Sequence, residues 1–437
     1  MHVTYLGHAA ILVRGGNTSL LMDPWLEDPA YCNSWFHYPP LQHRTEDVIP
    51  VDYIWCSHDH PDHFDPKTLA KFPRDQKILV PQFASGRLES KLRGEGFTNL
   101  IPLPFGVDTE LDPELRITCR RTDLVWEDSA LIVQSCGVTL FNMNDCKLGD
   151  ELLAELGERY QPDLAFLPFS GAIHFPTCYG YPEERLIELC RGRRQKHLDW
   201  FVHRAALLQA KHAIPFAGNF ALLHPEELWM NEPEKNNFNT PDEAIAALAE
   251  RRPDIVGLQM NPGDEWTRTA GHVRPYPVPD FANKMREVRA LAASVEVRAL
   301  AAREAEPPAR PTLREDVAEF FADVCRRHPE LGPRIAARVV IEADGPHGGR
   351  WCFAFGAAGL AVSDFQDGDE WNLWMQIPPS MLQLAVDGAI TWDELALSFR
   401  VRFRENPEFF NRDFWVMLYN PDSVFLGPYL ADPSPRF

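Results

Sequence analysis

The run His58-Asp59-His60-Pro61-Asp62-His63 constrains this chain more than any other feature. It follows the apolar, β-prone segment Val51-Asp52-Tyr53-Ile54-Trp55-Cys56 and precedes a helix read over Pro66 to Phe72. Three imidazoles and the Asp62 carboxylate therefore sit on one loop at the end of a strand. Neutral imidazole and carboxylate are the natural ligands of Zn²⁺ or Fe²⁺. His58 and His60, two residues apart, can point the same way from an extended segment. Asp62 and His63 lie on the turn into the helix and can face a second metal. The competing reading is a polar surface loop that happens to hold three histidines. A metal site built on this loop needs further donors from distant loops, which asks for a rigid scaffold with loops at its strand ends.

The rest of the chain supplies such a scaffold. Short apolar runs, Val3 to Leu6, Ala10 to Val13 and Ser19 to Met22, are split by Gly7 and Gly15-Gly16 and read as a meander. Further strands are read at Lys77 to Val80, Arg116 to Cys119, Ala130 to Val133, Thr139 to Asn142, Leu164 to Pro168 and Ala213 to Phe216. Helices are read over Gly149 to Tyr160 and Glu183 to Lys211. The layout is α/β, and with the histidine run it resembles the αββα sandwich of the metallo-β-lactamase fold over residues 1–280. An Ala-, Arg- and Leu-rich helix from Asp280 to Glu306 and the stiff Pro307-Pro308-Ala309-Arg310-Pro311 form a linker over 281–311. Residues 312–437 read as a smaller C-terminal α+β domain. Its expected helices are Leu313 to Arg327 and Thr391 to Arg404, and its expected strands are Arg338 to Ile341, Trp351 to Phe355 and Trp371 to Gln376.

Composition narrows the function. The 437 residues carry a formal net charge of -20, which argues against nucleic acid or an anionic membrane surface as partner. It leaves room for a small anionic substrate held in a local basic pocket. No apolar run approaches the ~20 residues of a membrane span, and the N-terminus reads directly into a strand, so a cytoplasmic location is expected. Nine cysteines, an odd number with no Cys-x-x-Cys pair, read as reduced thiols rather than a disulfide framework.

Candidate partners for the loop lie at other strand ends. Asp145, in Asn142-Met143-Asn144-Asp145-Cys146, could bridge two metals or could be a turn acid. His224, before Pro225, could be a further imidazole ligand or a structural histidine at a helix start. His8 and Asp23 each end an early strand and could orient a ligand histidine. The fold usually supplies another histidine between Cys119 and Asp145, where this chain has none; Asp123 is the candidate to fill that gap, with Glu127 and Asp128 nearby. His174 could be a ligand, an acid/base group, a substrate contact or a structural histidine. Asp62 would orient the reacting water or complete the metal site.

Separated segments carry a further resemblance. Thr4 to Ala9, Met22-Asp23-Pro24-Trp25-Leu26, Ser57 to Phe64, Leu103 to Val107 and Asn144-Asp145-Cys146 are joined by Phe175-Pro176, Pro215-Phe216-Ala217-Gly218, His224-Pro225 and Pro262-Gly263. Near the C-terminus, Asp387-Gly388, Trp392 to Leu395, Arg404 to Glu408 and Phe414-Trp415 extend the pattern. Together they resemble the catalytic part of the cytidine monophosphate-N-acetylneuraminate hydroxylase family, iron-dependent monooxygenases. That family carries an N-terminal Rieske iron–sulfur domain, for which no ligand set is visible here, so the resemblance implies electrons from a separate ferredoxin- or cytochrome-type protein. It implies a non-haem oxygenase with one or two iron ions acting on a small polar molecule such as a sugar, nucleotide or amino-acid derivative. The alternative is a metallohydrolase of a phosphodiester, lactone or amide, with zinc or manganese. A third reading is a non-catalytic scaffold. The aromatic-rich C-terminal domain would cover the site or mediate a homodimer.

Overall fold

Near-continuous apolar runs along the early strands give each of them two buried faces, and this dictates a layered arrangement. In the computed structural model, which describes residues 1–431 except 123, 125 and 407, two sheets pack face to face. The first has eight strands in the order Gly271–Val273, Glu265–Thr267, His2–Gly7, Ala10–Gly15, Thr18–Met22, Tyr53–Trp55, Lys77–Pro81 and Leu100–Leu103. The second has seven, in the order Val256–Gly257, His212–Phe216, Leu164–Pro168, Val138–Asn142, Ser129–Ser135, Leu115–Arg121 and Asp108–Asp112. Val3, Ile11, Val13, Met22 and Trp55 meet Leu131, Val133, Leu140, Phe166 and Phe216 between them.

The outer faces are covered by helices. Ile132, Phe141 and Leu167 pack on helices Asp150–Tyr160, Glu183–Leu207 and Pro241–Arg251 through Leu153, Phe201 and Leu248. Leu12, Leu21 and Ile54 pack on Leu69, Phe72, Leu88 and Leu92. This is the expected αββα sandwich. Strands Thr18–Met22, Tyr53–Trp55 and Lys77–Pro81 run parallel, as do Val138–Asn142, Leu164–Pro168 and His212–Phe216. Their carboxyl ends define one edge of the sandwich, the usual place for a ligand in an open sheet.

The C-terminal region adds a five-stranded sheet, ordered Gly359–Asp364, Gly349–Gly356, Arg338–Ala343, Leu373–Gln376 and Arg402–Glu405. One continuous hydrophobic core joins it to the sandwich, with Trp25, Tyr31, Trp35 and Phe220 packed among Phe321, Phe353, Trp392 and Phe403. Backbone hydrogen bonds cross the junction: Gly180 N–H donates to Phe403 O at 2.8 Å and Phe403 N–H to Cys178 O at 2.9 Å. The sequence reading of one helix from Thr391 to Arg404 is corrected here. The helix covers Trp392–Leu397, Phe399 takes a left-handed φ of 62°, and Arg402–Glu405 is a strand. Its alternation explains this, because Phe403 is buried in the core while Arg404 is exposed. The linker helix, Lys284–Glu304, lies along a two-stranded ribbon formed by Trp35–His37 and Phe220–Leu222. Phe281, Val288 and Ala292 pack there on Phe36, Tyr38 and Leu223.

Candidate metal centre

Strand Tyr53–Trp55 ends, and the Ser57 N–H donates to the carboxylate of Asp23 at 2.7 Å, turning the chain out of the sheet. Within the loop, His63 N–H and Phe64 N–H both donate to His60 O, at 3.0 and 2.7 Å. Asp65 then caps helix Pro66–Leu69 by accepting from the N–H groups of Lys67 and Thr68, with Pro66 at the first helical position. The loop is thus fixed at both ends by short-range chemistry.

Each loop histidine has one ring nitrogen against a buried carboxylate from elsewhere. His58 Nδ1 lies 3.4 Å from Asp128 Oδ1 and 2.9 Å from Ser57 Oγ. His60 Nε2 lies 2.7 Å from Asp393 Oδ2, and His63 Nδ1 lies 3.1 Å from Asp23 Oδ2. This is the carboxylate–histidine arrangement that orients imidazoles for metal binding, leaving the other nitrogen of each ring available. His63 Nε2 is buried without a hydrogen-bond partner, 3.2 Å from Asp62 Oδ2 and 3.5 Å from Asp145 Oδ2. Asp62 is held in turn by His8 Nε2 at 2.8 Å and by the Tyr31 hydroxyl, which donates at 2.7 Å.

Two overlapping groups of donors result, His58 with His63 and Asp145, and His8 with Asp62 and His63, the atoms of each lying within 4.8 Å of one another. An orphaned imidazole nitrogen between two carboxylates is a donor set that suits a cation. The backbone is strained around it: His8 and Asp23 adopt φ 45° and Asn144 φ 55°, conformations that non-glycine residues hold only where the surroundings enforce them.

The electrostatics are those of a mostly buried cluster open at Asp145 and His60. Burial opposes the charge on Asp62, but His63 and His8 hold its carboxyl well below the usual range. Burial likewise opposes protonation of His60, yet Asp393 raises it to about 9, while Asp393 itself is lowered to about 2 despite burial, chiefly by His60. Burial, then the field of Asp145, pushes Asp128 well above the ordinary carboxylate range. Burial, with the neighbouring His63 and His60, lowers His58. A bound cation would oppose the shift of Asp128 and reinforce that of His58, favouring the carboxylate and the neutral imidazole.

The structure therefore brings together His58, Asp62, His63 and Asp145, with the His60 ring beside them, 4.5 Å from that of His58 but outside both donor groups. It does not bring His224 to them: that residue groups with Glu226 and Glu227, with Glu226 N–H donating to its Nδ1 at 3.4 Å. His174 is buried, stacks on Phe403 with centroids 4.7 Å apart, and meets the Tyr419 hydroxyl at 2.9 Å; burial and then Arg193 depress it to about 3. Asp123 lies outside the described residues. Sequence reasoning gave Asp128 no role of its own and passed over Tyr31 and Asp393. Asp128 had a signal, standing immediately before the apolar strand Ser129–Ser135. Asp393 stands in the segment Trp392 to Leu395 that carries the family resemblance, but nothing local ties it to His60, 333 residues away.

Residues 2–173 match the family described as Beta-lactamase superfamily domain. With the two-sheet sandwich and the histidine–aspartate loop at its edge, this match shows the metallo-β-lactamase fold. Among curated relatives, a protein of Mycolicibacterium smegmatis named as a Rieske 2Fe-2S iron-sulfur protein is 31% identical over 295 residues, covering 64% of this chain and 56% of its own. The cytidine monophosphate-N-acetylneuraminic acid hydroxylase of Mus musculus is 28% identical over 276 residues, covering 60% of this chain and 46% of its own. The chain thus spans about half the length of these relatives. Among solved structures, CmlA, a diiron β-hydroxylase from Streptomyces venezuelae, aligns with a TM-score of 0.42 and 15% identity over 62% of this chain and 54% of its own. No helix among the described residues is long and apolar enough to cross a membrane.

Proposed function

We propose that this protein is a non-haem iron oxygenase that hydroxylates a small polar molecule, with one or two iron ions held by His58, His60, Asp62, His63 and Asp145. The observation that carries this reading is the donor set. Beyond the loop, the carboxylate of Asp145 reaches the centre and that of Asp128 backs His58, in the stretch where a zinc hydrolase of this fold would present another imidazole; the His8 imidazole is engaged by Asp62. Mixed imidazole and carboxylate ligation suits iron. The hydroxylase and iron–sulfur names of the relatives support the same choice.

Bound iron supplies the one-electron chemistry that O₂ activation needs. Asp23, Asp128 and Asp393 fix the ring planes of the three loop histidines, so the ligand nitrogens stand ready before metal arrives. Tyr31 and His8 keep Asp62 ionised and pointed into the cluster. In the net reaction one oxygen atom enters a C–H bond and the other leaves as water. Two electrons and two protons are consumed, delivered by a separate iron–sulfur or cytochrome-type donor.

The test is the metal content of protein purified without added metal, joined to O₂ uptake with a chemical reductant. Iron with uptake is expected. Zinc without uptake would replace this reading with a metallohydrolase of a phosphodiester, lactone or amide.

A further inference from the structure

Helix Glu183–Leu207 carries Arg193, His197, Trp200 and Arg204 at intervals of four, three and four residues, which places them on one face. Trp200 is the centre of this face: its ring lies 5.3 Å from that of His197, 5.4 Å from the Arg204 guanidinium and 4.7 Å from Lys196 Nζ. Arg193 lies 5.6 Å from the ring of Phe175, in the loop after strand Leu164–Pro168. His197 borders the same loop, since a Cβ added to Gly171 would stand 2.9 Å from its Nε2. Lys147 follows two residues after Asp145, and the charge of Asp145 is felt at both Lys147 and Arg204.

These cations are unmatched. Among the described residues no carboxylate lies within 4.0 Å of Lys147, Arg193 or Arg204, and Arg193 Nε is buried with no hydrogen-bond partner. Their neighbours on the helix are paired: Arg185 reaches Glu188 at 2.8 Å, and Arg194 reaches Glu243. The chain has 63 acidic residues against 43 basic ones, so three cations left without an acid are not explained by a shortage of partners. A half-buried guanidinium without an acid loses hydration and regains only part of it from a ring contact. Its natural complement is an oxyanion, which the planar guanidinium can hold through two hydrogen bonds.

We propose that Lys147, Arg193 and Arg204, with Trp200 and His197 forming the wall, bind an oxyanionic group of the substrate, phosphate or carboxylate. The proposal rests on the oxygenase reading for the reacting end of that substrate and assigns its other end. The anion sits on the helix face, and the rest of the molecule extends past Asp145 toward the histidine loop. Burial depresses Arg193 and Arg204, and burial followed by Arg193, Lys147 and Arg204 takes His197 down to about 3. A bound anion would reverse all of these shifts.

The experiment is calorimetric titration of inorganic phosphate, and separately of acetate, into the metal-loaded full chain. Saturable binding of one or both is expected. In the Arg193→Gln/Arg204→Gln double variant it should weaken by about tenfold or more, with most of it restored by lysine at both positions. Lys147→Gln, on an exposed side chain, provides a variant whose folding is not in question and should weaken binding less. Phosphate without acetate assigns a phosphorylated substrate, and acetate without phosphate a carboxylated one. Binding of neither ion, or equal binding by the double variant, overturns the proposal. Metal content is measured on the same samples. Arginine-dependent anion binding in protein that takes up no metal would leave this site standing and remove the oxygenase reading instead.

Discussion

Two charged clusters share one edge of the sandwich and are built on opposite plans. Around the histidine loop charges stand in opposite pairs: Asp62 meets His8 at 2.8 Å, His60 meets Asp393 at 2.7 Å, and Asp59 meets Arg87 at 2.8 Å and Lys91 at 2.9 Å. On the face of helix Glu183–Leu207, Arg193 and Arg204 meet none among the described residues, only aromatic rings at 5.6 and 5.4 Å. The first cluster has its supporting side chains held still by folding, with the His63 Nε2 atom left for a cation. The second leaves its charge unspent for a ligand. Substitutions should therefore act in opposite senses in the two places.

The largest effect is expected at the loop itself. Asp62→Ala removes a carboxylate that contacts His8, His63 and Tyr31, and should abolish both metal retention and O₂ uptake, read by metal analysis and oxygen electrode. Asp59→Ala comes next. It leaves the half-buried Arg87 and Lys91 without their shared acid and should destabilise the fold by about 3–5 kcal/mol in chemical denaturation. Asp393→Asn should weaken metal binding by about 10–100-fold, with the fold intact and partial recovery in Asp393→Glu, because its role is to orient His60. At the other cluster the sign changes: Arg204→Gln should raise stability by about 0.5 kcal/mol, since it removes an unpaired cation from beside others. A loss of stability there would break the comparison.

The pH dependence follows from the His60–Asp393 pair in metal-free protein. The folded-state pKa of His60 is raised to about 9, so its contribution is complete below its unfolded value of about 6.5 and is lost as pH rises through 9. That of Asp393 is lowered to about 2, so its contribution is complete above about 3.9 and is lost as pH falls through 2. Thermal melts should show the greatest difference between wild type and Asp393→Asn between about pH 4 and 6.5, shrinking on either side.

What was legible in the sequence was what is local. The loop, its capping acid Asp65 and the strands on either side are fixed by patterns a few residues long, and the sandwich follows from the continuous apolar runs of strands buried on both faces. Asp145 was legible because it ends a buried strand. His224 looked equivalent, and it was the fold that carried it to Glu226 and Glu227 instead. Tyr31 and Asp393 could not be read, because nothing local marks a residue whose partner is 31 or 333 positions away. The cationic face was hidden for another reason. Arg193 and Arg204 look like any solvated helix arginines until the structure shows which of their neighbours are paired and which are not.

The most direct test of the central claim is the iron content of the full chain, purified without added metal, beside that of Asp62→Ala. The account predicts one to two iron ions per chain in the wild type and almost none in the variant. Wild-type protein without iron, or a variant that retains the same amount, would contradict it.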